Sequence, residues 1–339
     1  MSRLPAARVG GGALVFALLA VFPFVVHAAW IVNIGVITVM YAGLASAWNL
    51  FSGTTGYISL GHAAFFGIGA YALAITFNHV SGGGGYTPFY VLPLIGLGTG
   101  IVSLPIAWIA LRTRAITFAI VTLTLFFMAQ QLAFNLRGIT HGSQGVAAPL
   151  PSFAVSDFDR PFYLAMVGVL ALAILSYAYI RSSKLGLMLL AVREDEEKAR
   201  SVGIRTTGVK LIAFAISAGL TGMVGGVWAY YLTFVYPQYA FDPLILIGTV
   251  LMAFLGGKGT LWGPFLGALV LVPAQQYMLT RFGASELYLV GYSAVFVVIL
   301  LFMPRGIVPS LSAGANLLRR PPSLPAEPDL GIEAKRAAS

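Results

Sequence analysis

Cysteine is absent from the 339-residue chain, which excludes disulfides, thiolate metal sites and a cysteine nucleophile. Charge is also scarce. Only 9% of residues are charged, 58% are hydrophobic and the mean hydropathy is +0.88, whereas soluble domains average about 25% charged residues. Acids are missing where an ion-coupled carrier would need them: Asp242 and Glu286 stand at the ends of apolar runs, and no ionisable residue but histidine falls well inside one. Proton and ion pumps normally bury such groups, although a sodium site made of backbone alone stays open. A nucleotide site is missing too. The Gly257-Lys258 pair is followed by Gly259 rather than Ser or Thr, and Met252 stands where a P-loop needs its first glycine. His27, His62, His79 and His141 are scattered, so no metal cluster is implied, and no Ser/His/Asp arrangement follows from spacing.

What remains is apolar sequence in continuous runs of about 20 residues, the length of a helix across the hydrocarbon core. Barrel strands would alternate with period two. The fold class is therefore an all-α polytopic membrane protein with about 8 to 10 transmembrane helices, and about ten is the preferred count. Its 39 glycines suit close helix packing in lipid. In order, the expected spans are Gly11–Ala29, Trp30–Phe51, Gly61–Asn78, Pro88–Leu111, Ala115–Phe134, Pro161–Ile180, Leu211–Leu232, Pro243–Leu255, Pro264–Leu279 and Leu287–Met303. The first could be a signal peptide, because Val26-His27-Ala28 resembles a cleavage site; its length and the span that starts at once favour retention. Gly96 and Gly100 in the fourth span, and Ala218, Gly222 and Gly226 in the seventh, have small-xxx-small spacing. Both termini fall on the cytoplasmic side. The net charge of +9 is then the positive-inside bias of a membrane protein and calls for no nucleic acid. The transmembrane domain covers residues 1–310, and 311–339 form a cytoplasmic, disordered tail.

One long charged segment interrupts the apolar runs. Residues 181–210 hold Arg181, Lys184, Arg193, Lys198, Arg200, Arg205 and Lys210 beside Glu194, Asp195, Glu196 and Glu197. Glu194 precedes Lys198, and Glu196 precedes Arg200, by four residues, a spacing that supports a helix. Gly203 offers a stop. Leu187, Leu190, Ala191, Ala199 and Val202 supply an apolar face for one or two short helices. Such a loop is either a solvated linker or a handle for a soluble partner.

Two glycine-rich breaks, residues 53–62 and 256–264, interrupt the spans. Broken helices expose backbone groups where they line a cavity, and helix N-termini favour anions. Gly56, Tyr57, Ser59, Gly61 and His62 are therefore candidates for a translocation path, with a solute carboxylate stabilised at the start of the third span. The competing reading is a tight turn with Ser59 as a cap and His62 as a hydrogen-bonded packing residue. Asn33, Asn49, Gln130, Gln131, Asn135, Gln275 and Gln276 either line a path or join helices.

The segments GYISLGHAAFFGIGAYA (56–72), AVREDEEKARSVGIRTTGVKLIAFAISAGLTGMVGG (191–226), LGGKGTLWGPFLGA (255–268) and MPRGI (303–307) resemble, in order and spacing, the LivM-type permeases of bacterial ABC importers for branched-chain amino acids. The resemblance spans about residues 30–310. It implies a bacterial inner-membrane, non-catalytic subunit that moves branched-chain amino acids, or related small amino acids and amides, without a cofactor of its own. It implies a second homologous permease of LivH type, two cytoplasmic ABC ATPase subunits that bind the ATP, and a periplasmic solute-binding protein. It also implies that Ala191, Arg193, Glu194, Asp195, Glu196, Ala199, Ser201 and Gly203 belong to the loop that docks on an ATPase. The alternative is a secondary transporter or facilitator that works alone.

Overall fold

The computed structural model describes residues 6–283 apart from 27, 79–83 and 155–156, together with 293, 294, 297 and 306–310. Except for three residues, the expected tenth span lies outside these, as do the tail 311–339, His27 and His79. The helices are α1 (Ala6–Val25), α2 (Ala29–Trp48), α3 (His62–Asn78), α4 (Thr87–Ala110), α5 (Ala115–Asn135), the single turn α6 (Arg137–Thr140), α7 (Asp159–Ser182), α8 (Lys184–Glu194), α9 (Glu196–Ser201), α10 (Thr206–Leu232), the turn α11 (Pro237–Ala240), α12 (Pro243–Gly256) and α13 (Gly263–Phe282). Two strands, β1 (Val146–Ala147) and β2 (Phe234–Val235), pair antiparallel with Val146 opposite Val235. This small ladder departs from the purely helical expectation. Buried Val146 and Val235 carry backbone groups that need partners.

Among the described residues, six stretches are long and apolar enough to cross a membrane: Ala29–Gly53, α4, Ile116–Asn135, α7, α10 and Pro237–Gly256. Gly11–Val25 of α1 and His62–Phe77 of α3 are apolar but shorter. The chain is thus a multi-pass, α-helical membrane protein. For the described spans the expected boundaries hold to within a few residues, except that α1 begins five residues before the expected Gly11 and α10 five before the expected Leu211, taking in Lys210. Helix α1 packs on α7, where Phe22 stacks on Tyr163 with centroids 5.5 Å apart and Arg160 Nε donates to Pro23 O at 3.1 Å.

The bundle is built around α10, 72% of whose most apolar window is buried, against 22% for the peripheral α5. Glycines let its neighbours approach to backbone contact. A Cβ at Gly219 would lie 2.6 Å from Gly96 O of α4, and one at Gly100 would lie 3.0 Å from Ala215 O. On the other side, Gly69 of α3 rests on Gly222. With little hydrophobic drive between helices in lipid, such close packing is what holds them together.

The ends of the bundle differ. Hydrogen bonds gather the α2–α3 break, the α4–α5 turn, the α8–α9 segment and the α12–α13 break at one end. The opposite end carries Asn33, Asp159 and Tyr231, linked to one another. Arg112, Arg114, Arg181, Lys184, Arg193, Lys198, Arg200, Arg205, Lys210 and Lys258 all belong to the first end.

Candidate functional site: the charged loop and the break beneath it

The loop folds as two helices, because Asp195 interrupts the run. Its φ of −161° ends α8, and its carboxylate caps α9 by accepting from Glu197 N at 3.0 Å and Lys198 N at 3.1 Å. Those hydrogen bonds hold its pKa below the ordinary carboxylate value. The interruption decides which expected pairs form. Glu196 meets Arg200 at 3.3 Å as the spacing predicts, but Lys198 turns to Asp195 at 3.2 Å instead of Glu194. Ser201 Oγ donates to Lys198 O, and Gly203 ends α9 with a φ of +88°. Asp195→Ala is expected to weaken α9 by removing its cap. Faster hydrogen exchange at Glu197 and Lys198 amides, with α8 unchanged, is the readout.

The expected apolar face divides in two. Of its five residues Ala199 is buried against the bundle and Ala191 is half-buried, while Leu187, Leu190 and Val202 are exposed, at 67%, 50% and 76%; Leu189 and Val192 form the buried face of α8 instead.

Three attachments fasten the loop. Lys210, its side chain only 1% exposed, places Nζ 2.8 Å from Glu196 Oε1 and 4.3 Å from the centre of the Tyr57 ring. Tyr57 Oη donates to the other Glu196 oxygen. Burial pushes the Glu196 carboxyl up, and hydrogen bonds from Lys210 and Tyr57, with the Lys210 charge, more than reverse this and hold it below its usual range. Arg193 Nη1 donates to Gly53 O at 2.9 Å, and Arg114 Nη1 to Glu197 at 2.7 Å. The loop therefore grips the α2–α3 break, the α4–α5 turn and the head of α10 together.

Between α2 and α3 the chain makes a π-helical turn (Asn49–Gly53) and then folds back. Asn49 accepts from Gly259 N at 2.7 Å and donates to Thr260 O at 2.9 Å, which ties the two glycine-rich breaks to each other. Tyr177 Oη donates to Gly259 O at 2.6 Å. Gly56 is exposed, with a φ of +79° beside Arg193. Tyr57, Ser59, Gly61 and His62 are buried. Trp48 Nε1 donates to Ser59 O. Ser217 Oγ donates to Ala47 O at 2.6 Å, so at its 2.7 Å contact with His62 Nε2 it accepts. His62 is then the Nε2–H tautomer, and its Nδ1 accepts from Ser59 Oγ at 2.7 Å. Phe51, Phe65 and Phe214 surround the ring. In this conformation the Ser59 hydroxyl and the His62 ring both hydrogen-bond inside the bundle. Of the five expected path residues, Gly61 borders an apolar cavity of about 160 Å³ beneath α5.

Sequence reasoning counted Lys210 as the edge of the loop and did not pair it. Its signal was a lone lysine at the head of an apolar run, which demands a partner when buried. Of the polar residues in the spans, Asn49, Gln130 and Asn135 donate to backbone carbonyls. Asn33, Gln275 and Gln276 border a second cavity instead.

The family described as branched-chain amino acid transport system, permease component, matches residues 30–303. The high-affinity branched-chain amino acid transport system permease protein LivM of Salmonella typhimurium is 30% identical over 305 residues, 82% of this chain and 70% of that protein. LivM of Escherichia coli is 29% identical over 319 residues, 86% and 73% of the two chains. LivH of Salmonella typhimurium, a permease protein of the same kind of system, is 24% identical over 283 residues, 79% and 91%. No solved structure matches the chain.

Proposed function

The chain belongs to the family of branched-chain amino acid transport permease components, and from that membership we propose that it is a membrane-spanning subunit of an ATP-driven importer of branched-chain amino acids. It sits in a bacterial inner membrane with about ten spans and both termini in the cytoplasm. Its partners are a second, homologous permease, two cytoplasmic ABC ATPases that bind the ATP, and a periplasmic solute-binding protein. It is itself non-catalytic and has no cofactor.

The observation that carries this reading is the α8–α9 segment. It is helical, fastened to the bundle at three places, and still exposes Leu187, Leu190 and Val202 at the basic end. An exposed apolar group among charges fits a docking surface. When the ATPases close they push α8 and α9. Lys210 passes the movement to α10, and Tyr57 and Arg193 pass it to the α2–α3 break. Ser59 and His62 keep that break rigid, and Gly61 borders the apolar cavity beneath α5.

The test is purification of the tagged chain from its native membranes in mild detergent. Two ATPases and a second permease are expected to accompany it. Leu187→Asp with Val202→Asp is expected to shed the ATPases while the chain stays inserted. A wild-type chain that purifies alone and supports uptake in proteoliposomes without ATP would overturn the proposal in favour of a facilitator.

A further inference from the structure

The second cavity lies at the far end of the bundle from the charged loop. It has a volume of about 300 Å³ and is bordered by α2, α7, α10, α12 and α13. That is the lower end of the size range for small-molecule sites. Its position follows from the helix order: Asn33 is in the second turn of α2, Tyr231 in the last of α10 and Ile245 in the first of α12. Its apolar wall includes Met40 and Ile245, and its polar wall is Asn33, Tyr231, Gln275 and Gln276. No charged side chain borders it among the described residues.

Packing among the described residues does not use the whole polar wall. Asn33 Nδ2 donates to Tyr231 Oη at 2.5 Å, and Tyr231 Oη donates to Asp159 at 2.7 Å. This chain fixes both side chains, yet Asn33 Oδ1 accepts nothing among the described residues. Gln275 and Gln276 make no protein hydrogen bond there either. Asn33, Gln275 and Gln276 are half-buried carboxamides, and all three meet at one solute-sized space with hydrogen-bonding capacity left over among the described residues.

We propose that this cavity is a solute-binding pocket within the single chain, which takes a small aliphatic amino acid through neutral hydrogen-bonding groups. The inference rests on the permease reading. The apolar wall receives the aliphatic side chain, and the carboxamides, acting as both donors and acceptors, receive the ammonium and carboxylate. With no opposite charge to hold the zwitterion, affinity is weak, which suits a site the solute must leave. An amino acid with a charged side chain would meet the apolar wall and be rejected.

The lack of cysteine gives a clean test. Gln276→Cys is introduced into the assembled transporter, purified without its binding protein, and labelled with a maleimide. Leucine, isoleucine or valine at millimolar concentration is expected to slow labelling several-fold, and lysine and glutamate to leave it unchanged. Gln275→Leu combined with Asn33→Val is expected to weaken that protection roughly tenfold, with the ATPases still bound. Uptake of the same amino acids by the complete transporter separates the two hypotheses. Uptake without protection overturns the pocket and leaves the permease reading intact. Protection without uptake keeps the pocket and overturns the transport reading. Equal protection by lysine, or protection unaltered by the two substitutions, overturns the pocket's chemistry.

Discussion

Glu196→Gln is expected to leave the chain in the membrane and to uncouple it: ATP hydrolysis by the assembled transporter continues while leucine uptake collapses. The substitution keeps the shape of the side chain and removes its charge. Lys210, with its side chain 1% exposed, then loses its counter-charge and keeps neutral partners alone: the new amide oxygen, the Tyr57 hydroxyl at 3.3 Å and the face of that ring. Removing one partner of a buried ion pair costs about 3–5 kcal/mol, because the other charge is left uncompensated. Even the lower figure is a roughly 100-fold shift between attached and detached loop. Lys210→Met added to Glu196→Gln removes the orphaned charge. The yield of folded chain should then recover while uptake stays low, since the link itself is gone. Normal uptake in Glu196→Gln would sink the role given to this contact.

The same pair sets a pH limit. The folded Glu196 pKa is depressed, so its contribution is fully present above the ordinary glutamate value of about 4.3 and is lost as pH falls through the folded value. Protection of the α9 amides, taken relative to their intrinsic exchange at each pH, is expected to be flat from neutral pH to about 5 and to fall only in stronger acid.

The spans were legible because their signal is local. A run of apolar residues of bilayer length reads the same in any tertiary context, and α4, α5 and α12 begin and end within a residue or so of the expectation. The glycine faces were legible for a related reason: Gly96, Gly100 and Gly222 stand at a spacing that has only one use in an apolar helix. The boundaries that moved are those decided by distant partners. Lys210 looks like the end of a loop until Glu196 and Tyr57, 14 and 153 residues away, close over it. Glu194 and Lys198 look like a helical pair until Asp195 caps the next helix. The β1–β2 ladder joins segments far apart in the chain, and nothing in either announces the other.

The candidate site was legible as a place and not as an arrangement. Tyr57 and Glu196 were both singled out, as a path residue and a docking residue, and the structure joins them in one cluster. Path and handle had been read as separate features. The geometry makes the break between α2 and α3 part of the handle, and the cavity proposed to take the solute lies beside Asn33, Gln275 and Gln276 at the opposite end. Serine and histidine beside glycines look alike in sequence whether they face a cavity or close a turn. Only the positions of Trp48 and Ser217 decide between these.

The link can work only if α10 moves as a rigid rod between α3 and α4, and Gly225→Ala tests that. A Cβ at Gly225 would fall on the carbonyl oxygen of Phe66, a backbone atom of α3 that no side-chain rotation can withdraw. Gly222 is tight on its other side, where a Cβ would stand 2.5 Å from Thr99 Oγ1 of α4. One methyl group therefore has to push α3 off α10 through its backbone, and a loss at or beyond the upper end of the usual 1–3 kcal/mol for overpacking is expected. Gly208→Ala, in the first turn of the same helix, meets nothing within 4 Å. It should be neutral or stabilise by up to about 1 kcal/mol through helix propensity. The measurement is the yield and heating midpoint of detergent-purified chain for each variant. A Gly225→Ala chain as stable and as active as Gly208→Ala would mean that α3 and α10 are free to slide, and the push from the loop would have no rigid element to travel through.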